Sequence, residues 1–400
     1  MITKHCQLCG SKNLVLVIDL GSHPLADTFL KTTRKSEKRY PLKVLLCKGC
    51  GYVTLQHIVP ATTRYQETEY SYTSSNSPVA IAHFKEMAQE ATKRVGLSQN
   101  DLAVDVGSNA GTLLQSFKDV SGCAIVGIEP SPNIARLATR AKRPTLQDFF
   151  SKKTVAVILK KYGKAKVITC TNVFNHITDL QEFMENTSRL LEDDGIVVIE
   201  TPYLLSLVRD GAFDTIYLEH VSYFAVTPFE AFFKKFGFHM LYLQPNDYMG
   251  GSIRIYLSKK KKNPTLVWKY KQKEKRAQLF TATTYQKLMK RADYLKTSLV
   301  HQIATIKKQG GKIIGIGAAT KGNTLLNYCG ITQKDLEFVT DSSPLKIGKF
   351  TPGSHIPIKS DKDITKDITH AVILPWNIAG FLTKKLAHLK LIFIIPHLGK

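Results

Sequence analysis

The stretch Val104-Asp-Val-Gly-Ser-Asn-Ala-Gly-Thr-Leu-Leu114 narrows the possible folds of this chain more than any other. Leu102–Val106 is short, apolar and rich in β-branched residues, as befits a strand buried on both faces of a parallel sheet. It runs into a glycine loop and then an apolar helix start, so the pattern predicts the strand, loop and helix that open a doubly wound α/β domain. The loop reads Asp105-x-Gly107-x-x-x-Gly111 and lacks the three-glycine spacing of a dinucleotide fingerprint, so no pyrophosphate need be cradled there. A second apolar strand, Ala124–Ile128, ends at Glu129, where an acid can accept from both hydroxyls of a ribose.

Loop and acid together resemble the S-adenosylmethionine site of class I methyltransferases. The resemblance implies that Gly107 and Gly111, with Asn109 between them, bring the backbone close to the ligand. It further implies that Asp105 orients the methionine end and that Glu129 holds the ribose. A Rossmann-like domain bound to another nucleotide is the alternative on the same residues. Gln147-Asp-Phe-Phe150 falls where the adenine ring is sandwiched in that fold: Asp148 could accept from the exocyclic amine beside Phe149, and plain packing of the two phenylalanines suits the stretch equally. The strand Val167-Ile-Thr-Cys170 ends in Thr171-Asn-Val-Phe-Asn-His176, which places Asn172 and His176 at the edge of the site, at the carboxyl ends of the strands.

Four hundred residues exceed what one hydrophobic core organises, and two or three domains are expected. No window reaches the roughly 20 apolar residues of a membrane span. The start, Met1-Ile-Thr-Lys-His-Cys, has no apolar signal region, so a cytoplasmic location is expected. A net charge of +24 would suit nucleic acid, an anionic surface or an anionic small substrate, but the lysines are spread out with no arginine-rich tail or aromatic-interleaved basic helix. We therefore expect no nucleic-acid partner, and a monomer.

Residues 1–75 carry Cys6-x-x-Cys9 and Cys47-x-x-Cys50, two knuckles with a glycine after each second ligand. Four thiolates suit a closed tetrahedral zinc site, structural because no coordination place is left open. A redox Cys-x-x-Cys is the competing reading of either pair alone. Between the knuckles, Gly21–Leu30 reads as a loop with apolar anchors. The hydroxyl-rich run 69–78 offers Tyr70 and Tyr72 to a sugar or a phosphate, or is a polar linker.

In residues 76–258, Pro78 opens a helix whose buried stripe is predicted as Ile81, Phe84, Met87, Ala88 and Ala91. Beyond the strand ending at Glu200, the segment Phe213–Phe224 crowds Tyr217, Glu219, His220, Ser222 and Tyr223 into an otherwise apolar stretch. Such a cluster offers a base near neutral pH, an acid to fix its tautomer and phenols to polarise an oxygen.

With these residues the chain resembles the bacterial sugar C-methyltransferases that act on nucleotide-linked keto-deoxysugars. The match rests on both knuckles, the loop Gly107–Gly111, Asn172 to His176, Tyr217-Leu-Glu-His220-Val-Ser-Tyr-Phe and Gly250-Gly-Ser-Ile-Arg254, and on a C-terminal block, and it runs nearly end to end. It implies a zinc module, a class I methyltransferase core with S-adenosylmethionine, and a C-terminal Rossmann-like domain. It also implies a mechanism: His220 removes the proton beside a ketone, Tyr217 and His176 donate to the enolate oxygen, Glu219 orients His220, and Tyr223 and Arg254 meet the substrate. Two departures stand out, Leu218 where the family has histidine and Ala110 where its loop often has an acid.

Residues 259–311 read as a charged break, Lys259–Pro264, and a long helix with Leu288, Leu295, Leu299, Ile303 and Ile306 in its stripe, bracing the central domain. Residues 312–400 repeat strand, glycine loop and helix, with further parallel strands at 337–341, 371–375 and 391–396. Lys321 and Asn323 at that helix start are expected to hold the substrate's diphosphate; a ligand-free packing domain is the alternative. These residues and the resemblance together predict a C-methyltransferase of a nucleotide-linked keto-deoxyhexose, the resemblance implying C3 of a 4-keto-6-deoxysugar. Its rivals are a zinc-ribbon RNA methyltransferase and an inactive nucleotide-sugar-binding homologue.

Overall fold

The computed structural model describes residues 1–33, 37–67, 69–73 and 78–396. The hydroxyls of residues 74–77 in the expected sugar-binding run lie outside them. In the N-terminal part, β1 (Leu14–His23), β2 (Tyr40–Cys47) and β3 (Val53–Leu55) form an antiparallel meander. The parallel strands β4 (Leu102–Val106), β5 (Ala124–Ile128), β6 (Thr145–Leu146), β7 (Ala165–Thr171) and β8 (Leu191–Pro202) follow. Next, the chain sends the two-residue β9 (Ser222–Tyr223) back to pair with β3 as the fourth strand of the first sheet. β10 (His239–Asn246) and β11 (Ser252–Ser258) complete the central sheet in the order β10-β11-β8-β7-β4-β5-β6, with β11 antiparallel to both neighbours. Seven strands in this order with one reversed are the class I methyltransferase arrangement.

The central strands behave as their composition dictates, β4 being buried at every position. The helix Pro78–Val95 covers the sheet with Ala80, Phe84, Met87, Ala88 and Ala91. Ile81, expected in that stripe, is exposed, and Ala80 takes the buried place. Lys259–Asn263 is a break as expected, but Pro264–Arg276 is a docked helix. Its Glu274 accepts from the backbone N–H groups of Val226 and Thr227 and from the hydroxyls of Thr227 and Tyr203, capping the helix Val226–Lys234 from outside.

At the C-terminus β12 (Ile313–Ile316), β13 (Val339–Thr340), β14 (Ile358–Lys359), β15 (His370–Ile373) and β16 (Ile392–Ile394) make an all-parallel sheet in the order β14-β13-β12-β15-β16. β14 was not anticipated, because two residues carry no readable apolar run. The long helix Ala282–Lys308 exists and touches the central domain at residues 204–215, where Arg291 donates to the carbonyls of Val208 and Arg209, but its main partners lie elsewhere. Its buried face, Tyr285, Leu288, Ala292, Leu299, Ile303 and Ile306, shares one core with Val17, Val44 and Leu55 of the first sheet and Leu325, Leu336 and Val372 of the last domain. At 1.5 Å per residue such a helix is about 40 Å long and serves two partners, a choice its stripe alone does not reveal. The knuckles, by contrast, pack on the central domain, where Tyr52 meets Phe229 edge-on at 5.7 Å between ring centroids. Among the described residues no helix is long and apolar enough to cross a membrane.

Candidate functional site

The four sulfurs of Cys6, Cys9, Cys47 and Cys50 lie within 4.8 Å of one another, with Cys6–Cys50 at 3.5 Å and Cys9–Cys47 at 3.6 Å. Tetrahedral zinc with Zn–S bonds of about 2.3 Å needs sulfurs about 3.8 Å apart, so the cage fits. Each knuckle closes the same way, Gly10 N–H onto the Cys6 carbonyl and Gly51 N–H onto that of Cys47, with both glycines in the left-handed region. All ligands are sulfur and the set is closed, so the zinc is structural.

The cofactor site lies at the carboxyl ends of β4, β5 and β7. Gly107 has φ +70°, and a Cβ there would come within 2.4 Å of Val173 Cγ2, so only glycine lets this loop sit against the turn that leads to His176. Glu129 accepts from Asn109 N–H at 3.0 Å and from Ser131 N–H at 2.8 Å, which aims its carboxylate while leaving lone pairs for a ribose. Burial raises its pKa and pushes Asp105 up to about 7, against a 2.6 Å bond from the Thr169 hydroxyl. Asn172, at φ +52°, donates its N–H to the Glu200 carbonyl, and its buried Oδ1 has no partner among the described residues. Two buried acids and an orphaned acceptor around a glycine loop fit a ligand carrying a ribose and an ammonium group. Asp148 follows β6 and accepts from Phe149 N–H and Lys153. Phe150 packs on Phe183 at 5.4 Å, so the adenine position falls to Phe149, which is half-buried.

The strap 69–73 crosses this loop and is fastened rather than free. Asn133 exchanges two hydrogen bonds with the backbone of Tyr70, and Asn109 Nδ2 donates to the Tyr72 carbonyl. The Tyr70 ring meets Tyr65 edge-on at 5.5 Å.

Around His220 the structure gathers three of the predicted residues and adds others. The rings of Tyr217 and His176 stand 3.8 Å and 4.9 Å from the His220 ring. His220 Nδ1 donates to the Thr215 carbonyl at 2.8 Å, which leaves Nε2 as the free lone pair. Glu219 was expected to orient this ring and does not. Its Oε1 accepts instead from the backbone N–H of Asp27 at 3.0 Å, and Nδ1 of His220 is taken by the Thr215 carbonyl. Burial lowers the His220 pKa to about 3, aided by the charges of Lys321 and Arg64, and raises Glu219 to about 7.

His176 Nδ1 pairs with the Tyr65 hydroxyl at 2.5 Å. Arg64 Nη1 donates to the same phenol oxygen; in the tautomer in which the phenol donates to Nδ1, the second nitrogen of His176 is an N–H donor. Arg64 also holds the backbone carbonyls of His176 and Glu219. Asp27, Arg64, Tyr65 and Thr320 escaped the sequence reading. The run 61–67 carries no motif, and only the apolar anchors of the loop that carries Asp27 stood out.

Three substrate expectations change. Arg254 is buried and spent on Glu200, Glu86 and Glu90, because β11 aligns it with Glu200 and the helix Pro78–Val95 presents the other two acids. Asn323 donates to the Ala26 carbonyl at 2.7 Å, inside an interface rather than on an open phosphate loop. Lys321 binds Asn377 Oδ1 and the Met249 carbonyl over the Trp376 ring, and burial lowers its pKa. Tyr223 lies buried on β9 with its hydroxyl unpartnered among the described residues.

Comparison with known proteins matches residues 6–65 to a zinc binding domain, 82–243 to a methyltransferase domain and 247–396 to a C-methyltransferase C-terminal domain. The C-methyltransferase NovU of Streptomyces niveus is 30% identical over 380 residues, covering 94% of this chain and 90% of its own length. A ubiquinone biosynthesis O-methyltransferase of Rhodopseudomonas palustris is 26% identical over 130 residues, 31% of this chain and 51% of that protein. A solved S-adenosylmethionine-dependent methyltransferase from Clostridium acetobutylicum aligns with a TM-score of 0.36 at 14% identity, covering 44% of this chain and 91% of that one. Knuckles, core and C-terminal domain together make the chain a member of the S-adenosylmethionine-dependent C-methyltransferase family.

Proposed function

We propose that the acceptor is a nucleotide-linked keto-deoxyhexose and that methylation falls on the carbon beside its ketone, C3 of a 4-keto-6-deoxysugar. The observation that carries this is the free Nε2 of His220, flanked by the donors of Tyr217 and His176. A proton beside a ketone is lost only if the developing oxyanion is held. Bound S-adenosylmethionine supplies the electrophilic methyl group. His220 takes the proton at Nε2, while the His176 N–H and the Tyr217 hydroxyl donate to the ketone oxygen. The Lys321 charge that disfavours a protonated His220 also favours the enolate, so the pair of charges forms together. Three free cysteines beside the four of the zinc cage suit a reducing cytoplasm, and the product would feed a methyl-branched sugar of a surface polysaccharide or a glycosylated metabolite.

The test is incubation with S-adenosylmethionine and a panel of nucleotide-linked 4-keto-6-deoxysugars in deuterated water. Methyl transfer, or deuterium appearing beside the ketone, is the expected result. Turnover of RNA alone would overturn the reading.

A further inference from the structure

Besides Arg64 and Tyr65, the N-terminal module sends the loop after β1 to the site. After β1 the chain turns inward with Leu25, Ala26 and Phe29 buried, and it sets Asp27, 6% exposed, among residues of the other two domains. The backbone N–H of Asp27 donates to Glu219 Oε1, and its Oδ1 accepts from Ser71 at 2.8 Å and from Thr320 at 2.9 Å. The other oxygens of both acids, Asp27 Oδ2 and Glu219 Oε2, are buried with no hydrogen-bond partner among the described residues. The hydroxyl of Tyr223 and Oδ1 of Asn323 share that condition. Among the described residues neither acid forms a salt bridge: Arg64 reaches only the Glu219 carbonyl, and Lys346 is bound to the Ala318 carbonyl.

Leaving a buried polar atom unpaired costs about 1–3 kcal/mol, and more for a charged group. Here two carboxyl oxygens from distant segments stand unpaired, one of them on the residue before the base. Burial raises the pKa of both carboxyls, and a ligand that donates hydroxyl hydrogens to them favours the ionised form, in which both oxygens are acceptors.

We propose that Asp27 and Glu219 are an acceptor pair for the ring hydroxyls of the substrate sugar, and that Asp27 Oδ2 sets the preference for a hydroxylated over a deoxygenated ring carbon. This deepens the keto-sugar reading and rests on it. It also gives the zinc module a part in recognition, through the loop after β1.

Asp27→Asn is the sharp test. Both side-chain donors aim at Oδ1, so the amide seats its oxygen there and puts its NH2 where Oδ2 stood, turning an acceptor into a donor without a change of shape. Wild type and variant are compared for substrate Kd, KM and kcat on a nucleotide-linked 4-keto-6-deoxyhexose and its 2-deoxy and 3-deoxy counterparts. Cofactor affinity and melting temperature are measured alongside. In the wild type, one deoxy compound is expected to bind about tenfold or more weakly than the parent, as losing a hydrogen bond to a charged group implies. In Asp27→Asn that ratio should fall close to one while cofactor affinity holds. A ratio near one in the wild type, or an unchanged ratio in the variant, overturns the proposal. If Asp27→Asn fails to fold, Thr320→Val and Ser71→Ala, which remove the donors that aim the carboxylate, must lower the ratio; an intact ratio in both overturns it too. A wild type that binds and methylates no sugar of the panel is a separate result that sinks the keto-sugar reading and takes this inference with it.

Discussion

Nδ1 of His220 lies 2.8 Å from the carbonyl oxygen of Thr215, a residue of its own turn. A backbone acceptor fixes the tautomer without adding a charge, so the ring stays a neutral base that burial keeps from protonating until about pH 3. His220→Asn keeps a side chain of similar polarity and removes the lone pair that meets the substrate. Deuterium wash-in beside the ketone, followed by NMR, should drop by about 10³-fold, and cofactor binding by calorimetry should be unchanged. Normal exchange in this variant would assign the base elsewhere.

Tyr65 acts on the reaction through His176. Tyr65→Phe removes the hydrogen that holds Nδ1 as an acceptor, freeing the ring to adopt the tautomer that presents no donor to the oxyanion. We expect kcat to fall by about tenfold with KM little changed, and His176→Ala to fall further, by about 10²-fold. Equal losses in KM and in melting temperature would mark Tyr65 as packing only.

Asp105 gives the cofactor step a pH dependence. Burial raises its carboxyl to about 7, so below that pH it is neutral, and a cationic ligand beside it favours the ionised form. Affinity for S-adenosylmethionine should therefore rise as pH increases through about 7. Binding near neutrality should release protons, detectable by calorimetry in buffers of different ionisation enthalpy. Asp105→Asn should bind more weakly and lose the pH dependence; a variant that keeps it would put the titrating group elsewhere.

Removing the metal should separate the two halves of the site. The zinc cage shapes the chain that leads to β3, and β3 holds β9 directly after His220. Stripping the zinc with a chelator, or Cys9→Ser, should abolish methyl transfer and lower the melting temperature, while the glycine loop of β4 still binds cofactor. Elemental analysis should find one zinc per chain in the wild type.

What the sequence reveals is what local pattern encodes. The β4 loop, Glu129, the knuckles and the strands of the doubly wound sheet were readable because each rests on neighbours within one turn or one strand. Asp27 was not: its partners are Glu219, 192 positions away, and Thr320, 293 positions away. Arg64 carried no signal because its acceptors, the carbonyls of His176 and Glu219, are 112 and 155 positions distant. Arg254 misled in the opposite direction, since a conspicuous motif says nothing of Glu200, which strand register sets beside it, or of Glu86 and Glu90, which the helix Pro78–Val95 brings to it.

The shared core of the first and last domains bears on how the protein is made. A chain emerging from the ribosome ordinarily folds its leading domain first. Here Val17, Val44 and Leu55 share one core with residues 204–225 and with residues 285–372, so that core is complete only when nearly the whole polypeptide has been synthesised. The loop bearing Asp27, whose hydroxyl partner Thr320 lies in the last domain, is expected to be seated at the same late stage.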